Sequence, residues 1–325
     1  MGLIENPKTY TGRDLETIFF RPMFAGQNAE QLGIRVMYNM PVPTTIQMWS
    51  PNSDVLKAYS SGWTGGDSAS RVQKSIEMSK LKAEVGFSAS DYFQSVYELI
   101  TGRADVNLDD LTGSELEQAE TEMFRAAIAE SLRVMMWIGD KSAAAYNTMD
   151  GILTRATRYS AASSDVSKFT GVSGTVTADN VIDLLKGMWT MARPELKALR
   201  GEGNLTYFVT TDIYDAYEEY LDNHAADGAY VDLVSGRREL SYHGIKIVDM
   251  GITQYITKSG DTPSYCLLTD RRNLVLAVNT SDYPGSEVRM WYNPDQMENR
   301  QRAVFAIGCE ILDDELVCAY TNVEE

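Results

Sequence analysis

The chain has 325 residues, enough for about two cores, and 44% hydrophobic against 23% charged residues is an ordinary globular balance. A formal net charge of −17 argues against a general nucleic-acid binder, which needs a basic surface, while leaving room for a protein that encloses nucleic acid without gripping it. No run approaches the ~20 consecutive apolar residues of a membrane span, and the opening MGLIENPKTYTGRDLE lacks the basic-then-apolar order of a secretory signal.

Residues 1–31 show little periodicity and are punctuated by Pro7, Gly12, Pro22 and Gly26, so they read as an arm with one short helix near Asp14–Phe20. Ile34, Val36, Tyr38 and Met40 then alternate, as do Ile46 and Met48, with Pro41 and Pro43 imposing an edge or a bend between them. A Ser/Gly-rich tip follows. In RVQKSIEMSKLKAEVGF, Val72, Ile76 and Met78 share one parity and Leu81, Ala83 and Val85 the other. That shift implies a bulge or a change of strand partner. Residues 32–86 thus form a long two-stranded excursion, which needs a surface to lie on because an isolated hairpin is marginal in water.

SASDYFQSVYELIT predicts a short helix over 88–101. Ser114 and Glu117 then fit a capping box, opening a helix that runs to about Ile138 and stops at Gly139. Its face Leu116, Ala119, Met123, Ala127 and Leu132 is expected to lie on a sheet from the C-terminal third. Residues 159–177 read as a connection. Val181, Leu184, Leu185, Met188, Trp189 and Ala192 follow helical spacing up to Pro194. YFVTTDIYDAYEEYL reads as a strand, a cap at Thr211 and Asp212, and a helix burying Ile213, Ala216, Tyr217, Tyr220 and Leu221. Further strands are predicted near 244–248, 264–269, 274–279, 287–292, 303–312 and 316–320.

Candidate chemistry is sparse. Cys266, Cys309 and Cys318 lie in strand-like apolar runs, which suits buried reduced thiols and folding in the cytoplasm. His224 and His243 stand in turns without a triad or zinc-binding context. Glu117, Glu120, Glu122 and Glu130 lack the Glu-x-x-His partners of a di-metal bundle and read as a solvated face. No glycine-rich phosphate loop is present. Trp63 beside Arg71, and Trp291 beside Arg289, suit either base stacking or a protein interface; the acidic balance favours the interface. No catalytic, cofactor-binding or metal set emerges, and the rival of another class is a soluble α+β enzyme with dispersed carboxylates.

The order of these elements closes with YHGIKIVDM, CLLTDRRNLVLAVN and RMWYNPDQMENRQRAVFAIGCEILDDELVCAY. Arm, long hairpin, long helix, strand-to-helix turn and returning strand together resemble the major capsid protein of tailed bacteriophages, the Hong Kong-97 fold. The resemblance implies an α+β chain with an N-terminal arm at 1–31, an extended loop at 32–86 and a peripheral domain with its spine helix at 87–150. An axial domain at 151–265, a return through the peripheral domain at 266–312 and a C-terminal axial strand at 313–325 follow. It implies a non-enzymatic subunit that forms pentamers and hexamers of an icosahedral head around double-stranded DNA. Such a subunit works in the virion and is assembled in the host cytoplasm. It partners itself, with a separate scaffolding protein, a portal and decoration proteins as further partners. Trp49, Trp63, Arg71 and Lys74 are the candidate contacts to a neighbouring subunit. The short arm leaves no room for a long cleaved scaffolding segment, which implies either a separate scaffolding protein or an already mature chain. Lys57 with Asn293 or Asn299 offers the residue types of a crosslink, without a motif that licenses it. An encapsulin-like nanocompartment shares the fold and is the alternative.

Overall fold

The computed structural model describes residues 29–40, 44–51, 61–62, 69–87, 115–162, 166–224, 240–256, 263–280 and 289–322. The arm with its short helix, the helix predicted over 88–101, the capping box at Ser114 and the loop tip with Trp63 lie outside these residues.

Two sheets organise the described chain. In the first, β1 (Arg35–Met37) pairs in parallel with β10 (Leu274–Val278), which pairs antiparallel with the long β12 (Glu298–Ile311). The other half of β12 is flanked by β11 (Arg289–Asn293) and β4 (Ser79–Phe87). At ~3.3 Å per residue, β12 spans about 46 Å and serves both halves of this sheet. The strand is longer than predicted because Asn299 and Gln301 interrupt the apolar alternation, yet both are buried.

The second sheet has six strands. Its order is β5 (Ser167–Phe169), β13 (Val317–Thr321), β9 (Tyr265–Asp270), β6 (Leu205–Val209), β8 (Ile245–Asp249) and β7 (Ser241–Tyr242). Period-2 alternation buries both of its faces. Tyr207, Val209, Cys266, Leu268, Cys318 and Tyr320 join one core, beneath helices α3 (Val181–Met191), α4 (Pro194–Ala198) and α5 (Thr211–Asn223). Phe208, Leu267 and Val317 join the other. That second core also holds the first sheet's Leu274, Leu276, Phe305 and Ile307, so the two sheets share one interior. The chain passes between them at the 3₁₀ turn Arg271–Asn273.

The long helix α1 (Glu115–Ile138) spans about 36 Å. Its buried stripe is Phe124, Ile128, Leu132 and Met136, at four-residue spacing against β10 and β12. The sheet is the expected one and Leu132 of the expected face lies in the stripe, but the face is turned: Met123 and Ala127 are only half-buried flanks, and the side chains of Leu116 and Ala119 lie outside the described residues. The last turns are enclosed more fully, with Arg133, Val134 and Trp137 buried and the Trp137 ring 5.2 Å from Phe208. At the helix end the backbone crosses itself. The Gly151 N–H donates to the Gly139 carbonyl at 2.7 Å, and a Cβ on Gly151 would meet the Trp137 carbonyl oxygen at 2.6 Å. This crossing starts α2 (Ile152–Ala162), which packs on α1 and occupies the front of the predicted connection. Sequence reading missed α2, whose acid-free first turn and polar spacing carry little signal.

The strand-to-helix turn after β6 is built differently from the expected cap. Thr210 is the N-cap residue and its side chain makes no capping bond. The Thr211 hydroxyl donates to Asp249 at the end of β8, and the Thr211 N–H donates to the Thr253 hydroxyl of α6 (Thr253–Ile256). Asp212 accepts from Ser264. The turn ties three segments together, and its side chains are consumed in packing.

Candidate functional site: the hairpin and its root

Strands β2 (Thr44–Pro51) and β3 (Ala69–Ile76) form a two-stranded antiparallel sheet, in register from Thr44 opposite Ile76 to Pro51 opposite Ala69. They extend about 26 Å at ~3.3 Å per residue. The parity shift is a change of partner. β3 pairs with β2, and two residues later β4 pairs with β12. Where the chain crosses β12, a Cβ on Gly308 would stand 2.2 Å from the Glu77 carbonyl oxygen, so only glycine lets the hairpin root sit this close.

The root is packed on its own subunit. Ile76 is fully buried with Val275, Ala277 and Leu312, and Met37, Met40, Ile46, Met48 and Met78 close around them. By register, Ile46 and Lys74 share this inner row, whereas Thr45, Gln47, Gln73 and Ser75 on the outer row are exposed.

A buried polar network fixes the root further. Glu310 of β12, 3% exposed at its side chain, accepts from Arg155 Nη1 and from the Tyr159 hydroxyl, both at 2.6 Å. Arg155 and Tyr159 come from α2. Lys74 Nζ donates to Asp314 at 2.7 Å, lies 3.9 Å from Glu310 Oε1 and stands 4.7 Å from the Tyr159 ring centroid. Burial works against the Arg155 charge, and the facing Glu310 more than restores it. Burial, with the bond to Glu310, pushes the Tyr159 hydroxyl up to about 12. Lys141 and Glu77 add an exposed pair at 2.8 Å. The network thus links the hairpin root, the returning strand β12 and helix α2.

A second network holds α1. Arg133, 1% exposed, forks onto Glu130 and donates to the Met250 and Gly251 carbonyls at 2.7 and 3.1 Å. Burial raises the Glu130 carboxyl, but hydrogen bonds from Arg133 and Tyr255 outweigh it and hold that carboxyl below its usual range. Glu130 is thereby neutralised, whereas Glu122 is exposed, and the side chains of Glu117 and Glu120 lie outside the described residues. Among the described residues no three metal-binding side chains converge.

Of the four residues expected to touch a neighbour, Lys74 is committed to its own subunit's network. Its side chain is 20% exposed, because the strand register turns it inward with Ile76. Trp49 and Arg71 are register partners whose side chains lie outside the described residues, and Trp63 lies wholly outside them. Asn299 is fully buried, Asn293 belongs to β11, and Lys57 is not described. The thiols are all buried; burial pushes Cys309 and Cys318 up to about 12 and Cys266 well above its usual value. His224 Nδ1 lies 2.8 Å from the Tyr220 carbonyl and its ring stacks on Tyr220, while His243 occupies a positive-φ turn position.

No family model matches the sequence, and no curated protein matches it. The fold does match solved structures along nearly its whole length. The capsid of the empty GTA particle superposes with a TM-score of 0.59 at 12% identity, covering 93% of this chain and 98% of that one. The capsid of Myoviridae phage XM1 superposes with a TM-score of 0.56 at 14% identity, covering 98% and 100%. The chain has the Hong Kong-97-like capsid fold. An encapsulin of Synechococcus elongatus shares it, with a TM-score of 0.51 at 12% identity and coverage of 90% and 85%. In this capsid fold the sequence-predicted α+β architecture and the order of hairpin, long helix, strand-to-helix turn and returning strand all find their place.

Proposed function

We propose that this chain is the major head protein of a tailed phage, a structural subunit without catalysis that self-assembles into a closed shell around double-stranded DNA. The observation that carries the reading is the hairpin. Its root is sealed by an apolar cluster and a buried ion-pair network, while its outer row is exposed. A stiffly mounted two-stranded arm that is marginal alone gains most by lying on another copy. Whole-length agreement with capsid subunits supports the same conclusion.

On this reading the division into arm, extended loop, peripheral and axial regions applies. The first sheet with α1 belongs to the peripheral region and the six-stranded sheet to the axial one. Trp49, Trp63, Arg71 and the 20%-exposed Lys74 are the proposed contacts to a neighbour. Pentamers and hexamers form in the host cytoplasm with a separate scaffolding protein, a portal and decoration proteins as further partners. DNA is held by enclosure.

The encapsulin likeness sustains one alternative, a shell around a protein cargo. Negative-stain microscopy of protein expressed alone and with its genomic neighbours tests both. Closed particles whose neighbours include packaging genes support the head protein. Particles filled by a co-expressed enzyme support the nanocompartment. Monomers carrying a stoichiometric cofactor favour an enzyme.

A further inference from the structure

Among the described residues, the face of the first sheet that turns away from α1 is rich in cations on an acidic chain. β4, β12 and β11 send alternate residues to each side. Leu81, Ala83, Ala303 and Phe305 go to the core or its margin. Opposite them, the register sets Arg289 and Glu84 beside Arg302, Trp291 and Gly86 beside Arg300, Lys82 beside Val304, and Lys80 beside Ala306. Among the described residues, five cations, Lys80, Lys82, Arg289, Arg300 and Arg302, therefore share a face with two carboxylates, Glu84 and Glu298. Lys82 and Arg302 both bind Glu84, at 2.8 and 3.3 Å, and Arg300 lies 3.4 Å from Glu298. Between them Trp291 is 40% and Val304 54% exposed. A net-positive face with an apolar centre is an anomaly on a chain of net charge −17.

We infer that this face docks an acidic surface of a second copy of this chain, an inference that rests on the shell reading. Charge complementarity selects the occupant. Another copy is on average strongly acidic, and subunits of this charge need a local attraction to offset their mutual repulsion. An aromatic and an aliphatic anchor within a charged rim is the anatomy of a protein interface. A phosphate track would call for cations without carboxylates already bound among them. Arg302 and Lys82 retain most of their exposure while bound to Glu84, so both remain able to reach a partner.

The test measures the assembly threshold by light scattering for wild-type protein, the triple variant Lys80→Gln/Lys82→Gln/Arg302→Gln, and Val304→Gln. Far-UV circular dichroism and melting confirm that each variant is folded. The triple variant is expected to raise the threshold about tenfold at about 0.1 M salt, with the difference fading toward 1 M, where the Debye length is only ~3 Å. Val304→Gln should raise it at every salt concentration. Wild-type protein that assembles while both folded variants match it overturns this inference and leaves the shell reading standing. Wild-type protein that never associates overturns both. Binding of a labelled DNA duplex that the triple variant loses, with its threshold unchanged, assigns the face to nucleic acid and overturns it as well.

Discussion

Arg155 and Glu310 are separated by 155 positions, yet their side chains meet at 2.6 Å with almost no exposure. Removing one partner of such a pair strands the other charge, at a cost of about 3–5 kcal/mol. Arg155→Met and Glu310→Met should each lower the urea midpoint sharply, and the double variant Arg155→Met/Glu310→Met should recover part of the loss. An additive double variant would show that the two do not act as a pair. Glu130 allows a pH prediction. Its carboxyl titrates below its usual value when folded, so its contribution is fully present above the unfolded value near ~4.3 and is lost as pH falls through the lowered folded value. The melting-temperature gap between wild type and Glu130→Gln should be wide at pH 7 and should close toward pH 3; a gap that widens on acidification contradicts the assignment. Neither network was legible in the sequence. Glu130 and Arg133 look like an ordinary solvated helix pair until the 250–256 segment covers them. Nothing local links Arg155 to Glu310. The intramolecular pairing of Lys74 was hidden for the same reason, because only the register shows which row of the hairpin faces inward.

Elements were more legible than their faces. The long helix was visible from its composition, but its face was turned by about one residue, since Met123 and Ala127 border the stripe that Phe124 and Ile128 form. Ile128→Asp should therefore cost several kcal/mol, as an unpaired charge in the core does, and Met123→Asp distinctly less; equal midpoints in urea would show the face is still misjudged. The parity shift between Ile76 and Leu81 was legible as a break in alternation, and the structure resolves it as a change from β2 to β12. Its hidden requirement is Gly308. Gly308→Val should displace the Glu77 backbone and tilt the hairpin, giving a folded subunit whose assembly is impaired; normal assembly would show that the root angle does not matter. Helix α2 escaped because its start depends on the Gly139–Gly151 backbone crossing, a tertiary event with no local signature.

At the scale of the whole molecule, the order of elements carried the resemblance although no single motif did. Order is what the fold constrains: two sheets share one interior, the returning strand β12 serves both halves of the first, and the hairpin is mounted where β12 meets α2. On the shell reading the hairpin is rooted in its own subunit and works on a neighbour. The most direct measurement is sedimentation velocity, with microscopy of the fractions, on wild-type protein beside a variant in which residues 51–70 are replaced by a short Gly/Ser linker. The sealed root keeps its apolar cluster and its ion pairs in that variant, so a folded subunit of near-native melting temperature that forms no closed shells is expected, beside a wild type that does. A variant that unfolds, or one that closes shells as readily as the wild type, would contradict that reading.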